Sequence, residues 1–261
     1  MELLSICIPT RNRAFYLGEL LASIYQEVVS IDANNRSLLL KIYISDNASS
    51  DQTQDVVKHW SKLLHIEYSF NYQNIGGNKN ILLVSTKSQG KYTWILGDDE
   101  LIFPGSLSTV FQTLESENPG LLIATSEGYN TFLNPPRCFS SYRQLAQECI
   151  KLNPHFLIAH TLISCNIFKS NIIDTGFANY TVCTNYGHMY GLIKGLDEDN
   201  SAVILPAHHT IIVRNVRAEP VDGIWPNNIS TDWIAYLYWI KHYLQLEELV
   251  PEKAIFYRHH Q

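Results

Sequence analysis

"LLSICIPT", Leu3–Thr10, is an almost unbroken apolar run that stops on a proline and a threonine, and "RNR", Arg11–Arg13, follows at once. A run this short and this apolar reads as a strand buried on both faces, the kind found inside a parallel sheet. Outward from it, "FYLGELLASIYQEVV" (Phe15–Val29) carries apolar residues at helical spacing. "LLLKIYISD" (Leu38–Asp46) reads as a second strand and "DQTQDVVKHWSKLL" (Asp51–Leu64) as a helix, with Ser49 or Ser50 as its N-cap. The pattern continues: strand Ile66–Asn71, helix Asn78–Ser88 opened by Gly76-Gly77, strand Lys91–Asp98, helix Ser106–Ser116, strand Gly120–Ser126. Strands alternating with helices of this length predict an α/β fold, a mostly parallel sheet covered on both faces.

The second half is less regular. Asn130–Tyr142 reads as a loop, Tyr142–Leu152 and Asn185–Leu196 as helices, and Ala159–Ser170 as a strand followed by a reversal. Ser201–Arg214 has strand character interrupted by Pro206, and Ile229–Val250 reads as a long amphipathic helix. No repeat or linker divides the chain. The reading is one α/β domain over 1–261, with 1–126 as its first half and 127–261 as a helical elaboration.

The chain has 261 residues, 46% hydrophobic and 17% charged, with a net charge of −6 and no basic block. Duplex nucleic acid is not expected as a partner, because that needs clustered Lys and Arg against phosphates. No apolar run approaches the roughly 20 residues of a bilayer span, and Met1 leads within three residues into a strand, so no secretory signal is expected. Cys7, Cys138, Cys149, Cys165 and Cys183 are scattered without a CxxC pair, which reads as free thiols in a reducing, cytoplasmic setting.

In a parallel α/β sheet, ligands bind outside the carboxyl ends of the strands. Four polar loops sit at those ends: "PTRNR" (Pro9–Arg13), "SDNAS" (Ser45–Ser49), "NYQNIGGNKN" (Asn71–Asn80) and "GDDE" (Gly97–Glu100). Asp98, Asp99 and Glu100 repel one another unless a cation joins them. Carboxylate oxygens at a strand's end suit Mg²⁺ or Mn²⁺ shared with a phosphate; a solvated acidic turn before Pro104-Gly105 is the other reading. Asp46 ends a buried strand beside Asn47, placed either for a base N–H or ribose hydroxyl or for an Asx-turn. Gly76-Gly77 allow close backbone approach ahead of a helix N-terminus, with Lys79 nearby, which favours phosphate; an ordinary glycine turn has the same residues. Thr10, Arg11, Asn12 and Arg13 put polar groups and two positive charges past the first strand, as ligands or as a helix cap with solvated arginines.

Taken together and in this order, "ICIPTRNR", "IYISDNASSDQT", Asn71–Asn80 and "YTWILGDDE" resemble the nucleotide-sugar-dependent glycosyltransferases of family 2, with the GT-A fold. The resemblance covers about the first 105 to 130 residues. With Gly before the acids, the chain is similar to the abequosyltransferase-type enzymes of bacterial surface polysaccharides such as O-antigen or capsule. The resemblance implies that Pro9, Thr10 and Asn12 line the nucleotide pocket with Arg11 beside them. It implies that Asp46 contacts the base, next to Asn47, and that Gly76, Lys79 and Asn80 sit near the ribose or diphosphate. Asp98 would lie near the ribose, with Asp99 on a Mn²⁺ or Mg²⁺ and Asp98 beside it. The partners implied are a nucleotide-sugar donor and a saccharide or lipid-linked acceptor, with peripheral contact at the inner membrane.

The sequence departs from the family pattern twice. The first acid of the usual DxD falls on Gly97, and the usual Glu-Asp pair of the acceptor half falls on Thr184-Asn185. His188 is the nearest titratable group to the latter, with Asp174 and Glu127 as other candidate bases. The aromatics Trp225, Trp233, Tyr236, Tyr238 and Trp239 either line an acceptor groove, rest on a membrane or pack the last helix. Three other functional classes remain: a catalytically degenerate nucleotide-sugar binder, a sugar-phosphate nucleotidyltransferase, and a structural interaction module.

Overall fold

The computed structural model describes residues 2–31, 36–125, 137–152, 161–181, 184, 186–199, 202–205, 210–212 and 229–251. The first strand, β1 (Leu4–Thr10), is buried at every position except Pro9. Its apolar run is continuous because alternate residues enter different cores. Leu4, Ile6 and Ile8 pack with Leu17, Leu20 and Ile24 of α1 (Ala14–Ile31), while Cys7 belongs to the cluster on the other face.

Strands β2 (Leu40–Asp46) and β4 (Tyr92–Ile95) flank β1 in parallel, and β3 (Ile66–Phe70) adds to β2 in the same direction. Past β4 come β8 (Asn166–Lys169), β6 (Leu121–Ile123), β9 (Val203–Leu205) and β7 (Arg137–Phe139), giving one sheet of eight strands ordered β3-β2-β1-β4-β8-β6-β9-β7. Only β7 and β8 run against the rest. A two-stranded sheet joins β5 (Leu101–Ile102) to β10 (Ile211–Ile212).

On one face lie α1, α2 (Thr53–Trp60) and α4 (Ser106–Glu117), contributing Val57, Leu107 and Phe111 to the core. On the other lie α3 (Gly77–Ser85), α5 (Tyr142–Leu152), α7 (Gly187–Asp199) and α8 (Ile229–Tyr243), contributing Val84, Leu145, Met189 and Tyr236. The short α6 (Thr175–Tyr180) precedes α7.

Register sets the functional edge. Thr10 pairs with Asp46 and Asp46 with Phe70, so β1, β2 and β3 end at one level. Strand β4 pairs Ile95 with Cys7 and then leaves the ladder, with the Leu96 amide still donating to the Cys7 carbonyl. Counting on from that pair brings Asp98 level with Thr10.

The structure corrects several element bounds. The strand expected over Lys91–Asp98 stops at Ile95, because the Gly97–Glu100 turn takes the chain off the sheet. The expected loop Asn130–Tyr142 contains β7, and α6 was not anticipated. In Ser201–Arg214 two short strands belong to different sheets. The last helix ends at Tyr243, where Gln245 turns to φ 55°. The second helix is not capped by Ser49 or Ser50. Instead the Asp51 carboxylate accepts from the Thr53 amide at 3.1 Å and from the Ala14 amide at 2.9 Å, holding the starts of α2 and α1 together. Burial opposes the Asp51 charge, but the Thr53 hydroxyl and these amides outweigh it and lower its pKa. Cys7, Cys138, Cys149 and Cys165 are free thiols; Cys183 lies outside the described residues.

Tyr236 is fully buried, 5.5 Å from the Tyr186 ring and 5.6 Å from Tyr190, and Trp239 stacks on Tyr243 at 4.9 Å. Those aromatics pack α8 onto the core, whereas Tyr238 is exposed. Trp225 and the Trp233 side chain lie outside the described residues.

Helix α7 reaches its place through glycine. A methyl on Gly191 would sit 2.7 Å from Ala178 of α6, and one on Gly195 would collide with the Ile172 carbonyl. We expect Gly195→Ala to cost about 3 kcal/mol through overpacking. The readout is a lower urea midpoint at unchanged slope; an unchanged midpoint would mean that α7 can shift without penalty.

Candidate functional site

Two loops at the ends of β1 and β2 are bonded to each other. The Asn12 amide donates to Ser49 Oγ at 2.8 Å, and the Ser50 amide returns a bond to Asn12 Oδ1 at 2.8 Å. These bonds hold Asn12 at φ 52°, and Ala48 beside them has φ 62°, a left-handed conformation that costs a non-glycine residue about 1 kcal/mol. Backbone strain of this kind, fixed from two sides, sets the direction in which Arg13 leaves the loop.

Asp46 is fully buried. Its Oδ1 accepts from the Ser49 amide at 2.8 Å and its Oδ2 from the Tyr68 hydroxyl at 2.7 Å. The turn-stabilising use of this carboxylate is therefore realised, with Tyr68 as a partner that sequence reasoning missed. Burial and the Asp46 charge push the Tyr68 phenol up.

A chain of amides continues from there. Asn47 Nδ2 donates to Asn74 Oδ1 at 2.7 Å, and Asn47 Oδ1 accepts from the Ile75 amide at 2.9 Å. Asn80 Oδ1 accepts from Ser45 Oγ at 2.7 Å and from Asn71 Nδ2 at 3.0 Å. Asn74 Oδ1 also takes the Gly76 amide at 2.9 Å, just where Gly76 adopts φ 89°. The network fixes the entry to α3, whose first turn presents an exposed Lys79. Asn47 and Asn80 are thus braces of the loop rather than its exposed groups.

The acidic turn is held from three sides. Thr10 Oγ1 donates to Asp98 Oδ2 at 2.8 Å. Arg13 Nη1 donates to Asp99 Oδ2 at 2.7 Å and lies 3.7 Å from Asp98 Oδ1. The cation that meets the acids is Arg13, not Arg11, which is half-buried on the same loop. Burial works against the Arg13 charge, yet Asp98 and Asp99 raise its pKa. For Asp98, burial dominates: it pushes the carboxyl up to about 7 despite Arg13 and the Thr10 hydroxyl.

Behind the turn, the Gly97 amide donates to Ser164 Oγ at 2.9 Å, and the Trp94 indole donates to the Ser164 carbonyl at 2.9 Å. A Cβ at Gly97 would lie 3.3 Å from Ser164 Oγ and from Asp99 Oδ1, so the position that departs from DxD is one where an acid would crowd its neighbours. Glu100 is buried near Cys165; burial and then the Glu100 charge raise that thiol's pKa.

Among the described residues, no group of three or more His, Cys, Asp or Glu gathers as a metal cage. Asp98 and Asp99 nonetheless fit Mg²⁺ or Mn²⁺ chemically. They are adjacent carboxylates, Asp99 is partly open, and such cations take one or two carboxylates and complete their shell with phosphate and water.

Later in the chain, the Thr184 carbonyl accepts from Asn78 Nδ2 at 2.9 Å, tying the segment before α7 to the first turn of α3. His188 is buried, with Nε2 3.0 Å from the Thr161 carbonyl, to which it donates as the neutral ring. Asp174 caps α6 through the Phe177 amide and pairs with Lys194 at 2.6 Å, which lowers its pKa and marks it as structural. Glu127 and Asn185 lie outside the described residues. Ser164 carried no signal in the sequence: it lies 67 residues from Gly97, and nothing local marks the contact.

Residues 5–169 match the model of glycosyl transferase family 2. The chain is 38% identical over 118 residues to abequosyltransferase RfbV of Salmonella typhimurium, covering 44% of this chain and 33% of that protein. It is 34% identical over 116 residues to GalNAc(5)-diNAcBac-PP-undecaprenol beta-1,3-glucosyltransferase of Campylobacter jejuni, covering 43% and 34% of the two chains. The chain spans about a third of the length of these curated relatives. Staphylococcus aureus TarS 1–349, solved in complex with UDP-GlcNAc, superposes with a TM-score of 0.65 at 14% identity, over 97% of this chain and 69% of that one. The fold is therefore the mostly parallel α/β GT-A fold.

The buried His188 makes a stability prediction. Burial lowers its pKa from 6.5 to about 4, so between those values the unfolded chain binds a proton that the fold excludes. Stability is full above pH 6.5 and falls as the pH drops toward 4, by on the order of 3 kcal/mol for this one ring. Urea denaturation at pH 7 and pH 4 should show that loss, and His188→Gln should remove this part of it. An identical pH dependence in both proteins would mean that the ring is solvated.

Proposed function

The chain belongs to glycosyl transferase family 2, and we propose that it moves a sugar from a nucleoside diphosphate to a hydroxyl of a saccharide or lipid-linked acceptor in bacterial surface-polysaccharide synthesis. The observation that carries this reading is the convergence of Thr10, Arg13, Asp98 and Asp99 at the carboxyl edge of the sheet, beside the glycine-opened N-terminus of α3. That edge is where an α/β sheet binds a ligand.

In this reading the nucleoside lies along the ends of β1 and β2, against Pro9, Thr10, Arg11 and Asn12, with Asp46 and Asn47 shaping the base side. The diphosphate faces the amides that follow Gly76, where the helix end and Lys79 favour negative charge. Asp98 faces the ribose. A divalent cation held by Asp99 and Asp98 would supply positive charge against the departing diphosphate. The acceptor hydroxyl attacks from the opposite face and inverts the sugar carbon. His188, neutral and with Nε2 committed to Thr161, offers Nδ1 as a hydrogen-bond acceptor for that hydroxyl. Burial lowers the ring's pKa to about 4, which makes it a weak base. The proposed location is the cytoplasm, peripheral to the inner membrane; among the described residues, no helix is long and apolar enough to cross a membrane.

Gly97 and Thr184 at positions usually acidic favour a second reading, a nucleotide-sugar binder without turnover. Slow donor hydrolysis separates the two, since a live transferase leaks sugar to water. The family match leaves a nucleotidyltransferase without support.

Calorimetric titration with UDP, GDP, CDP and dTDP, each with and without Mn²⁺, is expected to give tight binding of one nucleotide that requires the metal. Asp99→Asn should lower transfer by roughly 100-fold or more, since metal charge stabilisation is worth several kcal/mol, with the melting curve nearly unchanged. Wild-type turnover by that variant would sink the assignment.

A further inference from the structure

We propose that Arg13 is a resident counter-ion that competes with the divalent cation for Asp99, so that the acidic pair takes a metal well only when a diphosphate draws Arg13 away. This rests on the transferase reading of the site and names how that site is regulated.

The geometry sets the competition. Arg13 Nη1 donates to Asp99 Oδ2 at 2.7 Å, the more open of the two acids. An oxygen carrying that bond cannot also face a divalent cation without bringing two positive charges together. The second acid offers little alternative, because Asp98 Oδ2 already accepts from Thr10 and its Oδ1 lies 3.7 Å from the same guanidinium nitrogen. Without nucleotide, then, the chain itself supplies one positive charge against the two acids.

The Arg13 side chain is within reach of an arriving anion: it is 21% exposed, and its guanidinium, while bonded to Asp99, lies 5.8 Å from the Tyr16 ring centroid. Its backbone stays fixed, because Asn12 is locked to Ser49 and Ser50, and Asp51 holds the Ala14 amide. A diphosphate arriving at this edge offers the planar guanidinium two oxygens at once, where it now makes one bond, Nη1 to Asp99 Oδ2. Moving Arg13 onto phosphate uncovers Asp99 as the nucleotide brings its own oxygens to the metal. Nucleotide and metal therefore strengthen each other's binding, and by linkage the effect is reciprocal.

The test measures Mn²⁺ binding by electron paramagnetic resonance, with Mn²⁺ alone and then with saturating UDP, GDP, CDP or dTDP. For Mn²⁺ alone, Arg13→Gln is expected to bind roughly tenfold more tightly than wild type, within the usual range of coupling between sites. Asp99→Asn in the Arg13→Gln background should abolish the gain, which locates it at the acids. Arg13→Lys keeps a cation and should stay near wild type, which guards against a gain that comes only from a loosened fold. Nucleotide should tighten Mn²⁺ binding in wild type and much less in Arg13→Gln. Equal affinity for Mn²⁺ alone in wild type and Arg13→Gln, or none in either, overturns the exchange, and it does so without touching the transferase reading if wild type still binds a nucleotide. Failure of wild type to bind any nucleotide overturns that reading, and with it the nucleotide's part in releasing Arg13.

Discussion

Two carboxylates on one tight turn at the edge of a buried sheet repel one another unless a cation or a proton relieves them, and much of the local structure follows from that. Asp98 is buried enough that its charge is costly. Three devices hold it: a hydroxyl from β1, a guanidinium from the start of α1, and a turn closed by the Glu100 amide on the Gly97 carbonyl. The helix that supplies the guanidinium also steadies the segment beyond the acids. Ser23 accepts the Ile102 amide, and the buried Glu27 accepts the amides of Gly105 and Leu107 at 2.8 and 3.0 Å, capping α4. One helix thus fixes both the charge opposite the acids and the chain that leaves them.

Much of this was legible in the sequence where the signal was local. The strand ends and the polar loops on them can be read because a both-sides-buried strand must end where its apolar run ends, as at Thr10 and Asp46. The structure brings those ends to one level, as a parallel register requires. What could not be read was pairing at a distance. Arg11 and Arg13 are equivalent in composition. Only the left-handed turn at Asn12, imposed by Ser49 and Ser50, decides which of them reaches the acids. Nor could the sequence show that Asn47 bonds to Asn74 and Ile75 of the NIGG loop while Asn80 reaches back to Ser45. The second half was harder for a different reason. Strands of two or three residues, such as β7, β9 and β10, are too short to show periodicity and exist through their pairing.

One departure from the family pattern, Gly97, is linked to His188 through a single stretch. Gly97 leaves room for Ser164, and Ser164 ties the acidic turn and Trp94 to the segment that begins at Thr161. His188 grips the same segment through the Thr161 carbonyl, from the first turn of α7. A Cβ in place of Gly97 would crowd Ser164, so glycine there makes room for the connection from the acidic turn through Ser164 to the segment that His188 grips. Asn78 adds a second connection, from the first turn of α3 to Thr184. Helix α7 can carry this role because Gly191 and Gly195 let it lie against α6 and the turn after β8 without slack. The acidic turn is therefore tied to α7 and α3 across one sheet, with the Arg13–Asp99 pair at the sheet's carboxyl edge.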